Sequence, residues 1–152
     1  MRRIDFNPAP PEAVPTTVQI SATPAEITRL LHGVTAFDAR LRALRSYGVE
    51  TLHDPDAVRN LGAIMLGALV RDTPRDGLPQ EETVTINSDQ AALLHHVAVA
   101  MSYEACAEAS TRKALAWDGV PRESREDPHP AQIWAGFALE LAPPAHLAAA
   151  VE

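Results

Sequence analysis

The chain has 152 residues, a length typical of one domain, and 46% of them are hydrophobic, which suffices for a core and argues against global disorder. The net charge of −7 disfavours non-specific binding to nucleic acid, because phosphate contacts need clustered Lys and Arg. The single cysteine excludes an internal disulfide and a cysteine-based zinc cluster.

Residues 1–16 are rich in proline and are predicted to form an extended arm rather than part of the core. Proline fixes φ and removes a backbone donor, so the segment favours polyproline II and cannot lie in the middle of a sheet. The prolines stand at Pro8, Pro10, Pro11 and Pro15.

No segment of the sequence predicts a membrane span or a secretion signal. The arginines at positions 2 and 3 are not followed by the apolar run that such a signal needs. The longest apolar block, residues 61–70, is shorter than the ~20 residues that span a bilayer. We therefore expect a cytoplasmic protein, or one that is built into a particle made in the cytoplasm.

A short strand followed by a capped helix is predicted after the arm. Residues 17–21 alternate and contain β-branched side chains, which is typical of a strand. Thr23, Pro24 and Glu26 then form a helix start with a capping box. Apolar residues recur at steps of three and four and predict a stripe facing the protein's own core. They are Ile27, Leu30, Val34, Phe37, Leu41 and Leu44.

A second helix is predicted to begin at Asp54 and Pro55, which suit its cap and its first position. Its second half, residues 61–70, is apolar on nearly all sides. This pattern predicts that the second helix is the central buried element of the fold.

The stretch over residues 82–87 alternates as a second strand and leads into a long third helix. Asn87 or Ser88 is the expected cap, and the helix should reach about Leu115. Cys106 lies in its alanine-rich half, where we expect a buried and unreactive thiol.

A fourth helix is predicted over residues 131–142, with Trp134 and Phe137 on its apolar side. The predicted fold class is thus α+β and mostly helical, with about four main helices, two short strands and the extended arm. We expect a single domain over residues 17–152.

Two segments of the chain resemble each other: TVQIS followed by LLHGV, and TVTIN followed by LLHHV. Either a strand–helix unit is duplicated, with its two strands paired side by side, or the likeness is fortuitous. Two short strands alone make a marginal sheet with open edges. A strand from another subunit, or the arm along an edge, would complete it.

The adjacent pair His95 and His96 does not predict a chemical site. The two side chains project about 100° apart on a helix and cannot chelate one ion as an i, i+4 pair does. His95 lies roughly 16 Å along the helix from Cys106, too far for a nucleophile pair. His96 shares its face with Tyr103, opposite the apolar stripe, which indicates a surface or an interface.

The sequence contains no recognisable catalytic, cofactor-binding or metal-binding motif. We therefore expect a non-enzymatic assembly or interaction protein, a subunit of a homo-oligomer or of a larger complex with protein partners. A structural component of a phage or a similar bacterial particle would suit such an arm. The candidate interface residues are Phe6, Pro10, Pro11, Val18, Ile20, His96, Tyr103 and Trp134.

Two alternatives from other classes remain open. One is a small enzyme or ligand-binding domain with a pocket between the first and third helices, for which His32, His95 and Tyr103 are the first candidates. The other is a bacterial regulator that binds a protein or DNA partner. DNA binding is disfavoured, because the second helix is too apolar to lie in a major groove.

Overall fold

The computed structural model describes residues 1–6, 17–71, 82–117 and 130–142, and it confirms the mostly helical α+β class. The elements are β1 (Arg2–Phe6), β2 (Thr17–Ala22), α1 (Pro24–Ser46), α2 (Pro55–Arg71), β3 (Glu82–Asn87), α3 (Ser88–Trp117) and α4 (Pro130–Leu141). Within the described ranges, the three strands form one antiparallel sheet in the order β1-β2-β3.

The sheet is apolar on one face and polar on the other. Val18 and Ile20 of β2, with Val84 and Ile86 of β3, are buried under the helices. Intervening residues such as Thr85 are exposed. This period of two is what the sequence shows, because successive strand side chains point to opposite faces.

The first residues of the predicted arm belong to the sheet. The sequence predicts two strands, but Arg2–Phe6 forms a third strand that pairs with β2 of the same chain. This segment contains no proline, so every residue can donate to a ladder, and it lies at an edge. Residues 7–16, with Pro10 and Pro11, lie outside the described residues.

A nearly buried ion pair fixes β1 against the helices. Arg3 and Asp5 point to the helix-covered face, with side chains only 8% and 9% exposed, and Arg3 Nε lies 2.6 Å from Asp5 Oδ1. Arg3 Nη1 also donates to the carbonyl of Leu141, the last residue of α4. A cation at this position satisfies a free carbonyl and complements the negative end of the helix dipole.

The capping box predicted at the start of α1 is confirmed. The Glu26 backbone N–H donates to Thr23 Oγ1 over 3.2 Å, and the Thr23 N–H donates to Glu26 Oε1 over 3.0 Å. Glu26 Oε2 also lies 2.9 Å from the Met1 ammonium. Burial alone would raise the pKa of Glu26, but the Thr23 N–H and the ammonium outweigh it and lower that pKa.

Replacing Thr23 by alanine should lower the free energy of unfolding by about 1 kcal/mol, because a backbone donor at the start of α1 loses its acceptor. Urea denaturation at pH 7 measures the change. Thr28→Ala is the matched control: its exposed hydroxyl donates to the Pro24 carbonyl within the helix and caps nothing. Equal effects of the two substitutions would contradict the assigned role of the cap.

The prediction that α2 is the central buried helix is wrong. Only one side of α2 is buried, while Leu66 is 52% and Val70 is 77% exposed on the opposite side. The reason is position: α2 packs against α1 and beside β3, and no described element covers its far side. The buried stripe consists of Val58, Leu61, Met65 and Ala68.

Cys106 is exposed, so the predicted buried thiol is also wrong. It follows Tyr103 by three positions and shares the side of α3 that points away from the core. The alanines around Cys106 are the reason that the sequence predicts a buried position for it. The buried segment of α3 instead lies earlier, around Leu94 and Val97.

Candidate functional site

Apart from β1, the described residues form two β-α-α units, β2-α1-α2 and β3-α3-α4, whose strands pair symmetrically. In the β2–β3 ladder, Val18 pairs with Ile86 and Ile20 pairs with Val84, so exchanging the two strands reproduces the same pairing. Each strand leads into a capped helix, and each unit packs its own two helices together, α1 on α2 and α3 on α4. The side-by-side strands of the similar segments are therefore present.

The second helix start repeats the chemistry of the first with other residues. The Gln90 N–H donates to Asn87 Oδ1 over 2.8 Å, and the Asn87 N–H donates to Gln90 Oε1 over 3.0 Å. This reciprocal pair has the geometry of a capping box. Both strands are thus held at a fixed angle to the helix that follows.

The symmetry between the units is broken at the sheet edges. The outer edge of β2 is covered by β1, but among the described residues no strand pairs with the outer edge of β3. An edge strand presents a row of unpaired N–H and C=O groups to any strand that can reach it. The edge of β3 is therefore the feature of the sheet most open to a partner.

The two edge strands differ in how they discourage pairing. β1 carries charged residues, including the inward-pointing Arg3 and Asp5, which are common devices for protecting an edge. β3 contains neither Lys nor Pro, and its central residues Thr83–Ile86 are all β-branched. Such a segment has a high propensity to pair with another strand.

An exposed apolar stripe lies on the helix beside this edge. We call Ala63, Leu66 and Val70 the outer face of α2; all three are exposed. They follow one another at steps of three and four on the side of α2 that points away from its buried stripe. Because α2 packs beside β3, this stripe lies on the helix next to the open edge, and we call the edge and the stripe together the assembly flank.

A second group of exposed apolar residues lies where α1 gives way to α2. We call Leu44, Tyr47, Val49 and Leu52 the corner surface; Tyr47 is 86% and Leu52 is 89% exposed. Gly48 allows the chain to turn here with a φ of +78°. The corner is fixed by the Val49 N–H, which donates to the Leu44 carbonyl over 3.1 Å.

The fold brings together two histidines that are distant in sequence. His53, between α1 and α2, has its Nε2 3.0 Å from Nδ1 of His96 on α3. The ring of Phe37 packs on His53 with centroids 5.9 Å apart. His95 faces another way: its Nδ1 lies 2.9 Å from the carbonyl oxygen of Ala138 on α4.

Burial, together with the neighbouring His96, shifts the pKa of His53. Burial lowers the pKa of His53 from its ordinary value of 6.5, and repulsion by a charged His96 lowers it further. The unfolded chain therefore binds a proton more readily than the folded chain. Folding stability should be unaffected by this group above pH 6.5 and should fall as the pH drops from there through the lowered pKa.

The measurement is the free energy of unfolding between pH 8 and pH 5 for the parent and for His53→Gln. The variant should lose the part of the pH dependence that His53 contributes. His32→Gln removes an exposed histidine of α1 and should leave that dependence in place. Identical pH profiles for the parent and His53→Gln would contradict the lowered pKa.

The predicted interface residues divide into three groups. Val18, Ile20 and Trp134 are buried in the chain's own core, so they offer no surface to a partner in this conformation. His96 and Tyr103 are exposed, as their position opposite the apolar stripe predicts. The side chain of Phe6, and both Pro10 and Pro11, lie outside the described part of the chain.

The residues of the alternative pocket are not brought together into a described cavity. His32 and Tyr103 are exposed, and His95 is engaged with α4. An open depression of about 480 Å³ lies elsewhere, between the end of α1 and the start of α2. It is lined by Arg42, Arg45, Ser46, Asp54, Pro55 and Asp56.

Within the described ranges, no three His, Cys, Asp or Glu residues cluster so that they could hold a metal ion. No helix in that part of the chain is both long enough and apolar enough to cross a bilayer. Protein-family models, curated protein sequences and solved structures were compared with this chain, and none of them matches it.

Sequence reasoning missed both the open edge and the histidine contact. The open edge could not be predicted, because the neighbours of a strand depend on tertiary pairing. The absence of Lys and Pro in residues 82–87 is nevertheless a local signal of an edge that can pair with another strand. The contact between His53 and His96 joins residues 43 positions apart. No local spacing could have indicated it.

Proposed function

We propose that this chain is a non-enzymatic assembly subunit that associates with a second copy through the outer edge of β3 and the outer face of α2. The observation that carries the proposal is the outer edge of β3, which no strand of the described residues covers, in the position equivalent to the edge of β2 that β1 covers. Main-chain pairing at such an edge is a recurrent mode of protein association.

A two-fold axis beside β3 suits this edge. Two copies of β3 would run antiparallel across the axis, and the two three-stranded sheets would continue as one sheet of six strands. Such an interface is self-complementary, as dimer interfaces with two-fold symmetry require. Each copy satisfies the unpaired backbone groups of the other.

The outer face of α2 supports the same arrangement. Because α2 packs beside β3, pairing of the edges would bring the two α2 helices to the dimer axis. Leu66 and Val70 are exposed in the single chain and would become covered. Burial of apolar side chains at the centre of an interface supplies much of its stability.

The test compares variants at this flank by analytical ultracentrifugation. The parent chain should sediment at twice its mass of 16.4 kDa. Val70→Asp should raise the dissociation constant by at least about tenfold, because it places an unpaired charge in the interface. Thr83→Lys combined with Thr85→Lys should also weaken association, since each lysine protects the edge.

Leu139→Asp is the matched control, because Leu139 is as exposed as Val70 but lies on α4. It should leave the dissociation constant unchanged. A parent chain that is monomeric at all concentrations would refute the proposal, and so would equal weakening by Val70→Asp and Leu139→Asp. Incorporation of the dimer into a larger particle is a further prediction from the sequence.

A further inference from the structure

We propose that His53 and His96 form a two-histidine site for a divalent transition-metal ion such as Ni²⁺, Cu²⁺ or Zn²⁺. The site lies between the α1–α2 connection and α3, and neither histidine belongs to β3 or to the outer face of α2. Neutral imidazole nitrogens are the side-chain donors that suit these ions.

The spacing of the two donor atoms fits one shared ion. His53 Nε2 and His96 Nδ1 are 3.0 Å apart. Two nitrogens at ordinary metal–nitrogen distances of about 2.05 Å are about 2.9 Å apart when they subtend 90° and about 3.3 Å apart in a tetrahedron. The imidazoles therefore need little movement to become adjacent ligands.

The surroundings leave the remaining coordination positions to solvent. His96 is exposed and His53 is half-buried, with Phe37 packed on its ring. Water can therefore complete the coordination of an ion such as octahedral Ni²⁺. The chain's net charge of −7 favours the approach of a cation.

Metal binding requires a defined arrangement of protons. When one of the two facing nitrogens carries a hydrogen, it can donate that hydrogen to the other across 3.0 Å. To bind the ion, that ring must carry its hydrogen on its other nitrogen, so that both facing lone pairs are free. A protonated imidazole must release its proton to solvent, so the affinity should fall as the pH is lowered.

The experiment is a calorimetric titration of the full chain with NiCl₂ at pH 7.5. All proteins carry Cys106→Ser, since Cys106 is an exposed thiol that could bind the ion itself. We expect one ion per chain, with an affinity that His53→Gln and His96→Gln each weaken by at least about tenfold. His32→Gln, which removes an exposed histidine of α1, should leave the affinity unchanged. Titration at pH 5.0 should give weaker binding than at pH 7.5.

A second measurement uses the protein with both His53 and His96 in place, so it does not depend on how the variants fold. Paramagnetic Ni²⁺ should first broaden the amide signals of residues around 53 and 96 in the nuclear magnetic resonance spectrum. Absence of saturable binding would overturn the proposal. Broadening centred elsewhere, or equal affinities for His96→Gln and His32→Gln, would do the same. Because neither histidine belongs to β3 or to the outer face of α2, metal binding and dimerisation are tested by different variants, and one can fail without the other.

Discussion

Replacing Gly33 by alanine should destabilise the protein by about 2 kcal/mol, although alanine is the better helix former. Gly33 is buried in α1, and the indole of Trp134 packs directly on its backbone. A Cβ there would overlap the ring atom Cη2 and lie 3.1 Å from Cζ2. The helix would gain about 1 kcal/mol from the substitution, but forcing an atom into a packed contact costs about 1–3 kcal/mol and more when the neighbour is rigid.

Trp134 has little room to retreat from this clash. It is 5% exposed, and its ring packs edge-on against Phe137 with centroids 5.5 Å apart. A loss of 2 kcal/mol corresponds to a fall in melting temperature of about 4–8 °C for a chain of this size. Thermal unfolding followed by circular dichroism measures it.

Gly62→Ala is the matched control for Gly33→Ala. A Cβ at Gly62 would lie 3.4 Å from Val34 Cγ1, an ordinary contact. This substitution should therefore stabilise the chain by up to about 1 kcal/mol. In a Trp134→Leu background, Gly33→Ala should lose most of its cost. A stabilising effect of Gly33→Ala in the parent would contradict the close contact of Trp134 with Gly33.

Replacing Arg3 by alanine should destabilise the protein by about 2–4 kcal/mol. The substitution leaves the carboxylate of Asp5 nearly buried and without its partner, and it removes a donor to the end of α4. Breaking one side of a buried ion pair is costly because the remaining charge is uncompensated. Urea denaturation at neutral pH measures the loss.

Arg2→Ala is the control for this prediction, since Arg2 is exposed on the neighbouring position of β1. It should change the free energy of unfolding by less than about 0.5 kcal/mol. The double variant Arg3→Met with Asp5→Leu should recover most of the loss, because it leaves no buried charge. Equal and small effects of Arg2→Ala and Arg3→Ala would show that β1 does not belong to the sheet.

The local features of the fold could be predicted from the sequence. The box at Thr23 and Glu26, the strand over residues 17–21 and the apolar stripe of α1 all depend on residues within a few positions of each other. Such signals record the demands of a single helix or strand. The structure bears out the box and the strand with only small changes of boundary. The stripe of α1 is buried as far as Leu41, but its last member, Leu44, is exposed because the helix ends two residues later.

The tertiary features could not be predicted in the same way. Residues 2–6 precede the prolines of the predicted arm, and the strand that they form depends on pairing with β2. The exposed side of α2 could not be predicted, because an apolar sequence does not indicate which side of a helix its neighbours cover. Val70 is the example: it follows the buried Met65 and Ala68 closely in sequence, yet it is exposed. The exposed side of α2 lies where a partner is proposed, whereas β1 lies at the opposite edge of the sheet.

Amide hydrogen exchange along β3 tests the proposed assembly most directly. Alternate amides of residues 82–86 point toward β2 and toward the open edge. The amides facing β2 should be protected at every protein concentration and serve as the internal control. Those facing the open edge should become protected as the concentration rises and the second copy pairs with them. If they exchange as freely at high concentration as at low, β3 has no partner and the account is contradicted.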